Sequence, residues 1–317
     1  MLAIDNLSVA VVKNKAQIDI VRDVSVDVHD GEILGVVGES GAGKSMMMSA
    51  IIKLFAPGAG IVAGTIHFDG QRLDNLPEKG MRKLRGGTIA SICQDPLTSL
   101  DPCMRVGLQL SETILRHTPL SKAQAAQRAL DLMAEVGIAD PAGCYKRYPH
   151  EISGGMRQRI IIALALAGEP RLILADEPTT ALDAATQHQV LMLLRKLCTK
   201  NNQSMIIITH DFGVVSAIAD RIAVMYGGQI LEVGPRENII SAPRHPYTQA
   251  LIRCIPKLAS NVSRIPQING AMPRPGSLGT GCGFASRCSL RQEQCNDMPA
   301  LKDVGKEQRV ACWYTEI

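Results

Sequence analysis

One stretch near the amino terminus, residues 32–55, restricts the fold more than any other part of the chain. Its sequence is EILGVVGESGAGKSMMMSAIIKLF. The apolar run from Ile33 to Val37 predicts a buried strand, and the run from Met46 to Phe55 predicts a helix. The glycines between the two runs allow the backbone to turn tightly. A strand, a loop and a helix in this order are typical of an α/β fold.

The loop between the predicted strand and helix has the spacing GxxxxGK followed by Ser, which is that of the phosphate-binding P-loop. Its glycines let successive N–H groups line a concave nest, and the helix N-terminus adds positive potential. Lys44 is predicted to reach the β- and γ-phosphates, and the Ser45 hydroxyl to ligate Mg²⁺. A glycine-rich turn without a ligand is the alternative. The residues predicted to contact a nucleotide are Gly38, Glu39, Ser40, Gly41, Ala42, Gly43, Lys44, Ser45 and Met46.

A second segment, RLILADEPTTALD, contains an apolar strand that ends in two acidic residues. A nucleoside triphosphatase needs a carboxylate at such a strand end to hold Mg²⁺, and Asp176 fits that role. Glu177 is predicted to point the other way along an extended chain, where it would activate the attacking water. Taken alone, the two acids also fit a solvated strand end or a helix cap.

Four further segments resemble motifs of the ATP-binding cassette (ABC) ATPases. YPHEISGGMRQRIIIALALA resembles the signature motif, SICQDPLTSLDP the Q-loop, MIIITHDFGVV the switch-histidine strand, and ALD at 181–183 the D-loop. The resemblance implies an α/β P-loop ABC ATPase cassette with a helical subdomain. Taken singly, Gln94 fits a polar strand end, His210 a structural cap, and Ser153 a helix N-cap.

The resemblance also implies a mechanism that uses ATP and Mg²⁺. Two nucleotide domains pack head to tail, and the signature residues of one face the triphosphate held by the other. By this resemblance Glu177 is the general base, His210 holds the γ-phosphate and water in line, and Gln94 contacts Mg²⁺ as well as transmitting closure. The implied signature and D-loop contacts to the nucleotide are Ser153, Gly154, Gly155 and Asp183. The second domain comes from another copy of the chain or from a paralogue.

Two domains are predicted, an ABC nucleotide-binding domain at 1–240 and a C-terminal extension at 241–317. The helical subdomain is expected at about 96–155. Within it, SKAQAAQRALDLMAEVG has Ser121 as the predicted N-cap, Gln124 in the capping-box position and Gly137 as a stop. After Pro256 the composition changes to Pro, Gly and Cys, which predicts irregular structure.

The segments EISGGMRQR, ADEPTTALD and SAPRHPYTQALIRCIP resemble the ATP-binding subunits of bacterial dipeptide and oligopeptide importers. This resemblance implies two integral membrane permease subunits and an extracytoplasmic substrate-binding protein as partners. It also implies a peripheral position on the cytoplasmic face of the inner membrane. Nickel importers of the same subfamily share much of the pattern. A soluble ABC ATPase without a transporter, serving DNA repair, translation or cluster assembly, is the other alternative.

Four cysteines lie close together near the carboxyl terminus, at Cys282, Cys288, Cys295 and Cys312. Clustered cysteines in a reducing compartment are more often metal ligands than disulfides. Structural zinc sites favour shorter spacers than the five, six and sixteen residues found here. A [4Fe-4S] cluster held by all four thiolates suits the spacing better, and the resemblance points the same way. Zinc and unligated thiols are the alternatives.

The remaining composition excludes several classes of protein. The net charge is only +4 and the charges are scattered, so nucleic-acid binding is not expected. The amino terminus, MLAIDNLSVAVV, lacks the pattern of a signal peptide, and the apolar runs are shorter than the roughly 20 residues that cross a bilayer. A cytosolic protein is therefore expected. No Phe, Tyr or Trp precedes Phe55, which leaves the stacking partner of adenine unassigned.

Overall fold

The computed structural model describes residues 1–13, 16–94, 99–180, 182–255 and 267–314. Outside this part lie residues 95–98 of the predicted Q-loop, the first D-loop residue at 181 and the start of the Pro-rich segment at 256–266. The chain forms two compact units. The first unit combines Met1–Asn75 with Ile208–Ile317, and the second is Leu76–Ile207.

The elements of the described chain are numbered in chain order. The strands are β1 (Leu2–Lys13), β2 (Ala16–Val28), β3 (Ile33–Val37), β4 (Ala59–Phe68), β5 (Gln71–Arg72), β6 (Ile89–Ile92), β7 (Leu172–Asp176), β8 (Ser204–Thr209), β9 (Arg221–Tyr226), β10 (Gln229–Pro235), β11 (Lys302–Asp303) and β12 (Arg309–Val310). The α-helices are α1 (Lys44–Ile51), α2 (Glu78–Leu84), α3 (Val106–His117), α4 (Lys122–Glu135), α5 (Pro141–Tyr145), α6 (Gly154–Leu166), α7 (Ala184–Asn201), α8 (Phe212–Ile218), α9 (Arg236–Ser241) and α10 (Pro246–Arg253). Among these helices, none has both the length and the apolar composition needed to cross a bilayer.

The first unit contains two groups of paired strands. β1 pairs antiparallel with β2 and β4 in the order β2-β1-β4-β5. In the other group β3 runs parallel to β9, and β9 pairs antiparallel with β10. All five residues of β3 are buried, which confirms the strand predicted there. This buried strand leads directly into the P-loop.

Helix α1 differs from its prediction at both ends. It begins at Lys44, two residues before the predicted start, because Gly43 adopts the left-handed conformation (φ 100°) and precedes the first turn. It ends at Ile51, well before Phe55. Lys53 adopts a positive φ of 50°, a conformation incompatible with a continuing right-handed helix. The apolar run alone does not show this break.

The second unit contains parallel strands and most of the helices. β6 runs parallel to β7, with Ile89 opposite Leu172, and β8 lies beside β7. Helix α4 has the predicted capping box: Gln124 N–H donates to Ser121 Oγ, and Ser121 N–H donates to Gln124 Oε1 at 2.9 Å. The helix ends before Gly137, which has a φ of +82°. The predicted N-cap and stop are confirmed.

Replacing Ser121 by Ala is expected to lower the free energy of unfolding by about 1 kcal/mol, because the N-cap oxygen is lost. Urea denaturation followed by circular dichroism measures this change. Ser121→Asp keeps an acceptor at the same position and is the matched control. Equal destabilisation by both substitutions would show that the cap oxygen does not stabilise α4.

The C-terminal extension, predicted to be irregular from Pro256 onward, contains some regular structure in its described part. Val310 of β12 pairs with Glu232 of β10, and β11 pairs with β12. Two short 3-10 helices lie at Ala285–Arg287 and Glu293–Asn296. The prediction is wrong for β11 and β12, because two-residue strands depend on long-range backbone pairing and leave no periodicity in the sequence.

Candidate functional site

The P-loop lies in the first unit, between β3 and α1. Gly41 and Gly43 have φ values of +84° and +100°, which side chains other than Gly rarely adopt. Only glycine fits at position 38, because a Cβ there would lie 2.1 Å from the Met225 carbonyl oxygen. Lys44 is only 6% exposed, and its Nζ donates to the carbonyls of Gly38 at 2.8 Å and Glu39 at 3.0 Å. The loop is therefore tightly curled, with the lysine ammonium against its own backbone.

Asp176 ends strand β7 in the second unit, as predicted. Glu177 differs from the prediction, because its φ is +45° and the chain turns there instead of remaining extended. Its carboxylate Oε2 accepts hydrogen bonds from Gln94 Nε2 at 3.1 Å and from Thr180 Oγ1 at 2.9 Å. The structure thus brings together Gln94 and Glu177, two residues predicted to be catalytic.

The signature and D-loop residues begin two helices of the second unit. Ser153 is the N-cap of α6, and its side chain accepts from Met156 N–H at 3.3 Å. Asp183 is the N-cap of α7, and hydrogen bonds from the Thr186 backbone and side chain lower the pKa of its carboxyl group. A Cβ added to Gly155 would lie 3.1 Å from Thr186 Cγ2, whereas one at Gly154 would meet nothing within 4 Å. The two helix starts therefore lie side by side.

His210 follows strand β8 and is exposed, in the first unit. It does not cap the next helix, because Asp211 is the N-cap of α8 and accepts from Gly213 N–H at 2.7 Å. The described P-loop residues share the first unit with His210. Gln94, the signature residues, Asp176, Glu177 and Asp183 belong to the second unit.

The four C-terminal cysteines line one small cavity of about 20 Å³. Cys282 N–H also donates to the Cys295 carbonyl at 3.0 Å. Burial raises the pKa of Cys282 to about 11, and burial also raises the pKa values of Cys288 and Cys312. Across the described ranges, no group of three or more His, Cys, Asp or Glu side chains is arranged to hold a metal ion. The predicted metal site is therefore not confirmed, although the four cysteines line the same cavity.

Sequence reasoning missed three residues that contact the P-loop or its neighbours. Arg287 forms an ion pair with Glu39, with Nη1 2.9 Å from Oε1. Tyr247 Oη accepts from Glu39 N–H at 3.0 Å, and Tyr226 Oη accepts from Arg287 Nη1 at 3.2 Å. These partners are up to 248 positions apart in the chain. No local pattern marks them, although Tyr247 lies in the HPYT segment singled out by its resemblance.

Comparison with known proteins decides the family. Residues 21–180 match the model of the ABC transporter family. The chain belongs to the ABC transporter family. Residues 231–295 of this ABC protein also match the model described as oligopeptide/dipeptide transporter, C-terminal region. The P-loop and the HPYT segment fall in different matched regions.

Curated relatives align with this ABC protein over almost its full length. The dipeptide transport ATP-binding protein DppD of Bacillus subtilis (strain 168) is 43% identical over 318 residues, covering 100% of this chain and 95% of the relative. DppD of Escherichia coli (strain K12) is 42% identical over 315 residues. That alignment covers 99% of this chain and 96% of the relative. The oligopeptide transport ATP-binding protein AppD of Bacillus subtilis (strain 168) is 39% identical over 318 residues. That alignment covers 100% of this chain and 97% of the relative.

A solved structure shows the same fold. The dimeric, post-hydrolysis state of the ATP-binding cassette MJ0796 bound to ADP and Pi superimposes with a TM-score of 0.67 at 26% identity. The alignment covers 74% of this chain and 99% of MJ0796. The predicted α/β P-loop ABC ATPase cassette is therefore confirmed.

Proposed function

We propose that this ABC protein is the ATP-hydrolysing, energy-coupling subunit of an importer for dipeptides or oligopeptides. One observation carries the proposal: an ABC transporter match and an oligopeptide/dipeptide transporter C-terminal match occur in the same chain. Full-length relatives named for dipeptide and oligopeptide transport support it. The curled P-loop and the Gln94–Glu177 pair supply residues suited to phosphate binding and hydrolysis.

The residues present fit ATP and Mg²⁺ by their chemistry. The P-loop offers backbone N–H groups and an ammonium group for phosphates. The Ser45 hydroxyl and the Asp176 carboxylate are oxygen ligands of the kind that Mg²⁺ prefers. When bound, Mg²⁺ neutralises charge on the phosphates. Ser45, Asp176 and Gln94 are the proposed Mg²⁺ contacts, and the nine predicted P-loop residues are the proposed nucleotide contacts.

The proposed chemistry assigns separate tasks to three side chains. Glu177 accepts a proton from the attacking water, because a carboxylate is a suitable general base. Gln94 donates to Glu177 Oε2 at 3.1 Å and so orients that carboxylate. His210, exposed at the end of β8, hydrogen-bonds the γ-phosphate and the water. The barrier falls mainly through positioning and charge neutralisation, as in other phosphoryl transfers.

The proposed assembly contains a second ATPase subunit, either a copy or a paralogue, arranged head to tail. Ser153, Gly154 and Gly155, at the N-terminus of α6, present N–H groups and a positive helix end to the partner's nucleotide. Asp183 lies at the neighbouring start of α7. Two permease subunits and an extracytoplasmic substrate-binding protein complete the importer. The chain is then peripheral, on the cytoplasmic face of the inner membrane, with its cassette at 1–240 and its extension at 241–317.

Purification from membranes tests this function directly. The tagged chain is expected to co-purify with integral membrane subunits, and vesicles containing that complex should take up a labelled dipeptide only when ATP is present. Uptake of Ni²⁺ instead of peptide would favour the nickel importer. Recovery without any membrane subunit would favour a non-transport ABC ATPase.

We further propose that Cys282, Cys288, Cys295 and Cys312 hold a [4Fe-4S] cluster, with zinc as the alternative. Four thiols around one cavity are the donor set of such a cluster. Loading must release their protons, since thiolates are the ligands. When bound, a [4Fe-4S] cluster would cross-link parts of the loop-rich extension through its cysteine ligands.

Anaerobic purification is expected to yield about four iron and four sulfide per chain with a visible absorption band. Cys288→Ser should lower the iron content severalfold, because one of four ligands is lost. The control is Cys103→Ser, at an exposed cysteine in the second unit. Zinc alone would support the alternative, and a metal-free chain would refute both proposals.

A further inference from the structure

Glu39 is the first residue of the P-loop after Gly38. Its backbone N–H, its carbonyl and its carboxylate all form hydrogen bonds within the first unit. Its N–H donates to Tyr247 Oη at 3.0 Å. Its carbonyl accepts from Lys44 Nζ at 3.0 Å and from Ala42 N–H at 3.1 Å. Its carboxylate accepts two bonds from Arg287 Nη1, at 2.9 and 3.0 Å. Two of these three groups are thus fixed by the C-terminal extension.

Arg287 is itself held in place from several sides. Its side chain is only 5% exposed. Nε donates to the Asn269 carbonyl at 2.8 Å, and Nη2 donates to the Ile268 carbonyl at 3.2 Å. The guanidinium also lies 5.8 Å from the centre of the Tyr226 ring. A charged group with so many fixed partners has little freedom, so the position of Arg287 determines that of the Glu39 carboxylate.

Tyr247 is equally constrained. It is fully buried, and its ring lies 4.7 Å from that of Tyr226 and 5.1 Å from that of Phe284. Its backbone N–H donates to Nδ1 of the buried His245 at 3.0 Å. In turn His245 N–H donates to the fully buried Glu232 of β10, at 3.0 Å. The hydroxyl that binds Glu39 is therefore part of a rigid, packed cluster.

These contacts fix one peptide plane of the P-loop from both ends. The peptide that joins Gly38 to Glu39 has its carbonyl bound by Lys44 Nζ at 2.8 Å and its N–H bound by Tyr247. A phosphate nest works only when the following N–H groups point in the right directions. Rotation of this first peptide would move both the lysine ammonium and the N–H groups that follow it.

We propose that Arg287 is a positioning residue of the nucleotide site: it acts through Glu39 to hold the first peptide of the P-loop in its phosphate-binding orientation. The C-terminal extension then sets the nucleotide affinity of the P-loop, which lies in the same unit. This inference rests on the proposed nucleotide binding by the P-loop.

Binding of Mg²⁺–ADP to the purified full chain, measured by isothermal titration calorimetry, tests the proposal. We expect Arg287→Gln to weaken binding roughly tenfold, as losses of residues that orient ligand-binding groups typically do. Arg287→Lys keeps the charge but loses the planar guanidinium, so its affinity should fall between that of the unsubstituted chain and that of Arg287→Gln. Adding Arg287→Gln to Glu39→Gln should cost far less than it does alone, because the partner is already altered.

Arg309→Gln is the matched control. Arg309 also joins the C-terminal extension to the cassette within the first unit, but its partner is Asp27 of β2, outside the P-loop, with Nη2 3.2 Å from Oδ1. Its substitution should lower the melting temperature without changing Mg²⁺–ADP affinity. If Arg287→Gln does not fold, Glu39→Gln takes its place in the test. It alters the same ion pair from the other side and should also weaken Mg²⁺–ADP binding.

Three outcomes would overturn the inference. They are unchanged affinity in Arg287→Gln, an equal loss of affinity in Arg309→Gln, and fully additive losses in the double variant. Failure of the unsubstituted chain to bind Mg²⁺–ADP would refute nucleotide binding itself and, with it, this inference. Binding by the unsubstituted chain with no effect of Arg287→Gln refutes the inference alone.

Discussion

Glu177→Gln is expected to lower ATP turnover by roughly 10²- to 10⁴-fold while leaving nucleotide binding nearly unchanged. The amide has almost the same shape but cannot accept a proton from water. In the present structure Glu177 Oε2 accepts from Gln94 at 3.1 Å and from Thr180 at 2.9 Å. A glutamine retains an oxygen for these bonds, so the turn at Glu177 should persist. Phosphate release at saturating ATP, together with ATP affinity, measures the two quantities separately.

Glu237→Gln is the control for the glutamate substitution. The Glu237 side chain is 87% exposed and lies at the start of α9, outside every motif. Its replacement should leave both turnover and affinity unchanged. Turnover above one tenth of the unsubstituted rate in Glu177→Gln would show that another group is the general base.

Lys44→Met should abolish most nucleotide binding, with a loss of affinity of roughly a hundredfold. A hydrogen bond to a charged group contributes about 1.5–3 kcal/mol, and the charge of the lysine attracts the phosphates in addition. Methionine keeps the apolar stem, so the packing of α1 should change little. The substitution also removes the two bonds from Nζ to the carbonyls of Gly38 and Glu39. Equilibrium binding of Mg²⁺–ATP measures the loss.

Lys79→Met, at an exposed lysine of α2, controls for the change in net charge. Its nucleotide affinity should match that of the unsubstituted chain. Retained binding in Lys44→Met would contradict the role assigned to the P-loop lysine. A large fall in melting temperature would show that the two carbonyl bonds mainly stabilise the loop.

The two substitutions separate binding from chemistry. Lys44 lies in the first unit and Glu177 in the second. If both expectations hold, the lysine variant fails before ATP binds, and the glutamate variant fails after it binds. Because MJ0796 was solved as a dimer, the glutamate variant also offers a test of the proposed head-to-tail pair. Size-exclusion chromatography with ATP should then show the dimer accumulating.

Several local features were predictable from the sequence. The strand at β3 and the capping box at Ser121 are encoded within short windows by apolar runs and by cap chemistry. The boundaries of α1 were less predictable, because its end depends on the positive φ of Lys53. The orientation of Glu177 was also missed, since a left-handed residue after a strand leaves no hydrophobic pattern.

The sequence by itself determined the family, the P-loop and the identity of the groups available for chemistry, because these depend on residue types at short, fixed spacings. Only the tertiary structure decided which distant groups meet. It placed Arg287 on Glu39, Gln94 on Glu177, and four cysteines around one cavity. Such contacts result from packing of the whole chain: Arg287 and Glu39 are 248 positions apart, and Arg309 and Asp27 are 282 positions apart. Local propensity and periodicity carry no information about which distant residues will meet.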